Sequence, residues 1–177
     1  MRKFLFPIIS IIVLITLFWI WDNGQEEPVA VSNFDQCVDR GYPVMESFPR
    51  QCRTPDGQVF VEDIGNEIEK IDLIRIDSPR PNILIESPLE IIGEARGFWF
   101  FEGDFPVKLL DENGQEIAIG FVKTSANWMT QDFIPFEGIL EFEAPVTNRG
   151  VLILEKDNPS GLSENADELR IPVYFEK

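Results

Sequence analysis

The sequence predicts an all-β sandwich of seven or eight strands in the C-terminal part of the chain, and three observations carry that expectation. Short apolar stretches recur from Ile71 onward, with a turn signal about every 8–12 residues. Within several of them apolar and polar residues alternate, the period of a strand with one buried face. Beyond Trp21 no long stretch repeats its apolar residues at helical spacing, and only residues 162–169 have room for a helical turn.

The elements follow in order. Residues 1–3 form a short tip that carries Arg2 and Lys3. Residues 4–21 are uncharged and apolar, and at about 1.5 Å per residue they span roughly 27 Å, close to the hydrocarbon thickness of a bilayer. Trp19 and Trp21 fall where an interfacial aromatic belt lies, Asp22 ends the run, and Pro7 sits in the first turns, where a missing N–H costs little. These features predict a single uncleaved membrane anchor. A cleaved signal peptide would need a shorter apolar region and a nearby small-residue site, and the nearest candidate, Ala30-Val31-Ser32, lies well past the run. Basic residues before the span and Asp22, Glu26 and Glu27 after it place residues 22–177 outside the cytoplasm.

Residues 22–34 read as a polar linker. Residues 35–63 hold the two cysteines, Cys37 and Cys52, which an oxidising compartment would join in a disulfide. Closing a loop of about 15 residues contributes about 3 kcal/mol on the chain-entropy model, which matters for a segment too small to bury a core. A redox-active thiol pair is the alternative, and the spacing is not Cys-x-x-Cys. The turn Pro55-Asp56-Gly57 leads into a short strand at 58–61, and residues 64–70 form a second acidic linker.

From residue 71 the strands are IDLIRI (71–76), 83–85, 89–93, 105–110, 116–123, 136–143, 151–154 and 171–175. Asn113-Gly114 joins two of them as a hairpin. Phe136, Gly138, Leu140 and Phe142 are set to face one way and Glu137, Glu141 and Glu143 the other, whereas 151–154 is apolar throughout, as a central strand is. Seven or eight strands in residues 71–177 match the size of an immunoglobulin-like β-sandwich, here without an inter-sheet disulfide.

Composition removes several function classes. The 177 residues include 31 acidic and 15 basic ones, giving a net charge of −16, and no histidine. A basic footprint for nucleic acid is missing. Without histidine there is no Ser-His-Asp triad, no Cys-His dyad and no His-ligated metal, and two cysteines cannot close a tetrahedral zinc site. Arg2 and Lys3 are the only charges before Asp22, so the part beyond the anchor carries −18 and is repelled by anionic lipid and wall polymers. An apolar content of 44% with 15 phenylalanines is ample for a core.

The runs SPLEIIGEARGFWFFEGDFPVKLLDENGQEIAIG (87–120), WMTQDFIPFEG (128–138) and LEKDNPSGL (154–162) resemble the bacterial immunoglobulin-like domain of spore-germination type, found attached to GerMN domains or to envelope anchors. The resemblance covers about residues 71–177. It implies an immunoglobulin-like fold in a bacterial cell-envelope setting, and it brings no catalytic residues to carry over. No GerMN-like segment is present. The two-cysteine segment is similar to a small motif of secreted bacterial proteins.

Candidate contact residues cluster in three places. In Arg96-Gly97-Phe98-Trp99-Phe100-Phe101-Glu102-Gly103, four aromatics on a strand cannot all face inward. If Trp99 and Phe101 face the core, Phe98 and Phe100 point outward, or the reverse, and the outer pair beside Arg96 and Glu102 makes a partner surface. The competing account has Gly97 and Gly103 as bulges and a loop covering the outer pair. Trp128 is a second contact candidate or a plug at the sandwich end. Lys156 and Asn158 open an acidic loop in which Asp157, Asn158, Glu164 and Asp167 offer oxygen ligands, but its spacing is not that of an EF-hand and Asp-Asn-Pro-Ser-Gly is ordinary turn chemistry. Arg96 or Lys156 paired with Glu102 or Asp157 would pin this loop to the aromatic block. A sandwich of this size has little room for a deep pocket, so neither catalysis nor a cofactor or metal is expected. The expected role is a single-pass, membrane-anchored, non-catalytic module of the bacterial envelope that binds an envelope protein or assembles with one. Recognition of wall glycan or polysaccharide through Trp99 and Trp128, or service as a passive spacer, are the alternatives.

Overall fold

The computed structural model describes residues 30–176, so the expected anchor at 4–21 and most of the 22–34 linker lie outside the described residues. Among the described residues no helix is long and apolar enough to cross a membrane. The chain divides into two compact units, one running to Glu46 with Gln51–Phe60, the other comprising Ser47–Arg50 and the chain from Val61 onward.

The first unit is built around the disulfide. Helix α1 (Phe34–Asp39) opens where the Asn33 side chain accepts the Gln36 N–H at 2.9 Å, a standard N-cap. It turns Phe34 and Cys37 inward against Cys52, and Val31, Tyr42 and Phe60 pack around them. The unit therefore begins before residue 35 and contains a helix where the sequence pointed only to loops. Strands β1 (Val44–Met45), β2 (Gln51–Arg53) and β3 (Val59–Val61) form a three-stranded sheet in that order. Cys37 and Cys52 are bonded, with Cα atoms 6.0 Å apart.

The second unit is the sandwich. Its strands are β4 (Ile74–Ser78), β5 (Leu84–Ile85), β6 (Leu89–Arg96), β7 (Asp104–Asp111), β8 (Glu116–Lys123), β9 (Phe133–Leu140), β10 (Arg149–Glu155) and β11 (Glu168–Phe175). They run β4-β6-β9-β8-β7-β10-β11-β5, with all neighbours antiparallel except the two-residue pairing of β5 and β11. Between β8 and β9 the ladder holds by one residue pair, Lys123 opposite Glu137. There it folds over, so that β4, β6 and β9 face the other five strands.

The alternation predicted from sequence fills the space between the faces. Ile74, Ile91, Ala95 and Phe136 meet Phe105, Val107, Leu109, Leu152, Leu154 and Ile171 in one buried cluster, and Phe105 and Phe136 touch edge to face at 5.0 Å. The hairpin at Asn113-Gly114 is held by Asp111, whose Oδ1 accepts the N–H of Asn113 and of Gln115 at 2.9 and 2.8 Å. These hydrogen bonds keep the Asp111 carboxyl below its ordinary range, the Gln115 N–H contributing most.

Several boundaries differ from expectation, with β6, β10 and β11 longer than read from the sequence. Residues 64–70 are not a free linker: they hold helix α2 (Glu67–Lys70), and Asn66 is bonded both ways to β11, its Nδ2 donating to Glu168 O at 2.9 Å and its Oδ1 accepting from Arg170 N–H at 2.7 Å. Strand β4 consequently starts at Ile74 rather than Ile71. Strand β9 runs from Phe133 to Leu140 rather than 136–143, because Pro135 lies opposite Glu94 inside the ladder while the Phe142 N–H leaves it for the Ser87 hydroxyl at 3.0 Å.

Candidate functional site

Three connections meet at one end of the sandwich: β6 to β7, β8 to β9, and β10 to β11. The aromatic block lies in the first and is not a strand. Gly97–Trp99 is a 3-10 turn, closed by the Phe100 N–H on Gly97 O at 3.2 Å. In such a turn side chains do not alternate, so the pairing expected from sequence fails. Trp99 and Phe100 are both buried, at 0% and 4% exposure, and both pack edge-on to Phe105, with centroids 6.5 and 5.1 Å away. Phe98 and Phe101 are the exposed pair, at 50% and 43%. Burial removes Trp99 and Phe100 from any contact surface. The indole Nε1 of Trp99 has no hydrogen-bond partner.

Glycine makes the turn feasible. A Cβ at Gly97 would stand 2.1 Å from both Thr130 O and Trp128 O, so the β8–β9 loop lies directly on it. The return to β7 passes through Glu102 and Gly103 at φ 56° and 87°, a left-handed pair in which Glu102 is the strained member. Trp128 lies 3.4 Å from a Cβ built on Gly103 and packs partly buried against the core, the plug arrangement of the two considered for it. Its neighbour Met129 is 75% exposed.

Arg96 is a clamp within the fold. Its Nε donates to Asp72 O at 2.9 Å, its Nη1 donates to Gln131 O at 3.1 Å, and its guanidinium lies 4.0 Å over the Phe133 ring. The acidic loop is pinned to the aromatic block through two of the residues expected, Lys156 and Asp157, but not by an ion pair: the Asp157 N–H donates to Trp99 O at 3.0 Å, and the Lys156 ammonium stands 5.9 Å over the Phe98 ring. Lys156 Nζ also donates to Asn165 O at 3.3 Å. Asn158 is spent on its own turn, its Nδ2 donating to Leu162 O at 2.7 Å and its Oδ1 accepting from Ser160.

Beside this loop lies an open cleft of about 610 Å³ whose walls include Asn66, Lys70, Lys156, Asp157, Asn158 and Asp167. Lys70 and Asp167 are paired across it at 2.5 Å, and Lys108 holds Glu155 at 2.8 Å. Burial, together with the neighbouring carboxylates of Asp104 and Glu102, pushes the Asp157 carboxyl above its ordinary range. Of the oxygen donors considered for a cation, Asn158 is engaged in its turn and Asp167 by Lys70, and among the described residues no group of three or more His, Cys, Asp or Glu side chains that could hold a metal is assembled.

The sequence pointed to these loops, with Phe101 weighed as facing in or out, and did not single out Met129 or Lys70 at this end. Gly97 and Gly103 bracketing the aromatics were the available signal that the strand breaks there. A family model described as the immunoglobulin-like domain of bacterial spore germination (Gmad2) matches residues 73–163, a stretch that holds the first two connections and ends within the third, before β11. No curated protein and no solved structure gives a significant match.

Proposed function

Because the chain belongs to the immunoglobulin-like domain family of bacterial spore germination, we propose that it is a non-catalytic binding and assembly module of the bacterial cell envelope, held by residues 4–21 in the membrane with the rest of the chain outside. The contact surface in this reading is the loop end of the sandwich. One observation carries it: Phe98, Phe101 and Met129 stand exposed on loops whose backbones are tied to one another and to the core. Exposed aromatic groups on a rigid frame lose little entropy on binding. The anchor and orientation rest on the apolar run and on the charge asymmetry around it. Wall glycan recognition is the weaker reading, since Trp99 is buried and Trp128 is half-buried, which leaves neither as an open stacking platform.

Photo-crosslinking in bacteria producing the full chain tests this. A photoreactive residue at position 98 or 101 is expected to capture an envelope component, while one at Glu112, in the hairpin turn at the far end, is not. Equal labelling from all three positions, or none from 98 and 101, would count against the loop end as the contact. Protease access to the sandwich from the cytoplasmic side alone would sink the orientation.

A further inference from the structure

Away from the loop end, the outer face of β8 and β9 carries an apolar strip. Strand β8 turns Val122 into the core and Ile119 and Phe121 outward, where they are 55% and 53% exposed; Ile139 of β9 is 67% exposed. Register brings them together. The one residue pair between β8 and β9 is Lys123 with Glu137, and beyond it a Cβ on Gly138 would stand 2.9 Å from Phe121 O, which sets Phe121 close to Ile139. A Cβ on Gly120 would likewise come within 2.9 Å of Leu140 Cδ1, so the two strands stay close past that pair. On the other flank Phe121 is paired with Pro106 and Ile119 with Lys108. The strip runs into a cleft of about 450 Å³ lined by Ser87, Pro88, Ile117, Glu141, Phe142 and Glu143.

Its rim is acidic. Glu90 stands opposite Ile139 across the β6–β9 ladder, Glu137 and Glu141 follow along the chain, and all three are exposed. The ion pairs nearby use other carboxylates, Arg75 holding Glu94 and Lys108 holding Glu155. We propose that this face binds an extended segment of a partner protein in which apolar side chains are flanked by lysine or arginine. Ile119, Phe121 and Ile139, with the adjoining cleft, take the apolar side chains, and Glu90, Glu137, Glu141 and Glu143 face the basic ones. A second copy of the chain is the poorer occupant, because each copy carries −16 and would set these carboxylates against their own kind. An anionic lipid surface is repelled for the same reason, and of the three strip residues only Phe121 offers a glycan a ring to stack on.

The test uses the full chain in phosphatidylcholine nanodiscs and a fluorescein-labelled peptide that alternates lysine with isoleucine or phenylalanine, with empty nanodiscs subtracted. Saturable binding is expected, weakening about tenfold for Phe121→Ser and for the double variant Glu137→Gln/Glu141→Gln. It should also weaken as salt rises from about 0.05 to about 0.5 M. The glutamine variant alters only exposed groups, so it keeps the question open to refutation if Phe121→Ser disturbs folding. Ser substitutions at Phe98 and Phe101 are expected to leave this binding unchanged, which separates it from the loop-end contact. Equal binding of a peptide with glutamate in place of lysine, or indifference to both variants, would overturn the proposal. So would a dimer in sedimentation velocity that Phe121→Ser dissociates.

Discussion

At the scale of the residue, the four aromatics of the block divide by role according to which side of a single turn they occupy. Trp99, with its ring wholly buried, is a core residue, and Trp99→Ala is expected to cost about 3–5 kcal/mol in a thermal or urea melt. Phe98→Ser, at a half-exposed position, should change stability by under about 1 kcal/mol while weakening whatever binds the loop end. Asp157 makes a separate prediction. Burial and the Asp104 and Glu102 carboxylates raise its pKa, so the folded chain holds the proton more tightly than the unfolded one does. Stability therefore falls as pH rises from the ordinary carboxylate range through the raised pKa, and the loss persists above it. Asp157→Asn removes that loss and keeps the backbone bond to Trp99, so its melting temperature at pH 7 should exceed that of the native chain and depend less on pH. A lower value at pH 7 would mean that the carboxylate makes a favourable contact.

At the scale of the element, strands were legible in the sequence where local chemistry and the final ladder agree. Strands β7 and β8 are joined by Asn113-Gly114, so the hairpin follows from local sequence, whereas the shift in register between Leu109 and Leu110 does not. The aromatic block was not legible, because the alternation rule holds within a strand and Gly97 ends the strand one residue before the aromatics begin. Helix α1 was missed because six residues are too few to show a period, and it is held by the Asn33 cap, the disulfide and the packing of Phe34. The packing of Asn66 on β11, about a hundred residues away in sequence, is a long-range fact that no local pattern announces. The disulfide carries a test at this scale. Among the described residues Phe34, Cys37 and Cys52 form the buried apolar cluster of the first unit, so replacing both cysteines by serine should cost that unit about 3 kcal/mol and unfold it at 37 °C. The sandwich should keep its own melt, and a common loss of both transitions would show the units to be coupled.

At the scale of the whole molecule, a strongly acidic chain depends on a few well-placed carboxylates for its response to acid. The Arg50 guanidinium holds the buried Glu62 carboxyl below its ordinary range, with 2.8 and 2.6 Å bonds, and Asn82 adds a third; Asp111 is depressed by its turn. Stability from such groups is fully present above the ordinary carboxylate range and is lost as pH falls through their lowered pKa values. Acid unfolding should therefore begin below about pH 4, and Glu62→Gln should cost about 2 kcal/mol at pH 7 while flattening that limb of the curve. Urea midpoints from pH 7 to pH 2 would check both. A last consequence follows from the joint at 64–73. It enters the sandwich at the loop end, where the Leu73 carbonyl accepts the Arg96 N–H, the Asp72 carbonyl accepts the Arg96 side chain, and Lys70 stands in the cleft against Asp167. If the chain is anchored as proposed, tension drawn through residues 64–73 would be delivered to the very loops that hold Phe98 and Lys156 rather than to the far side of the sandwich, which would make grip at this end a quantity that mechanical load can change.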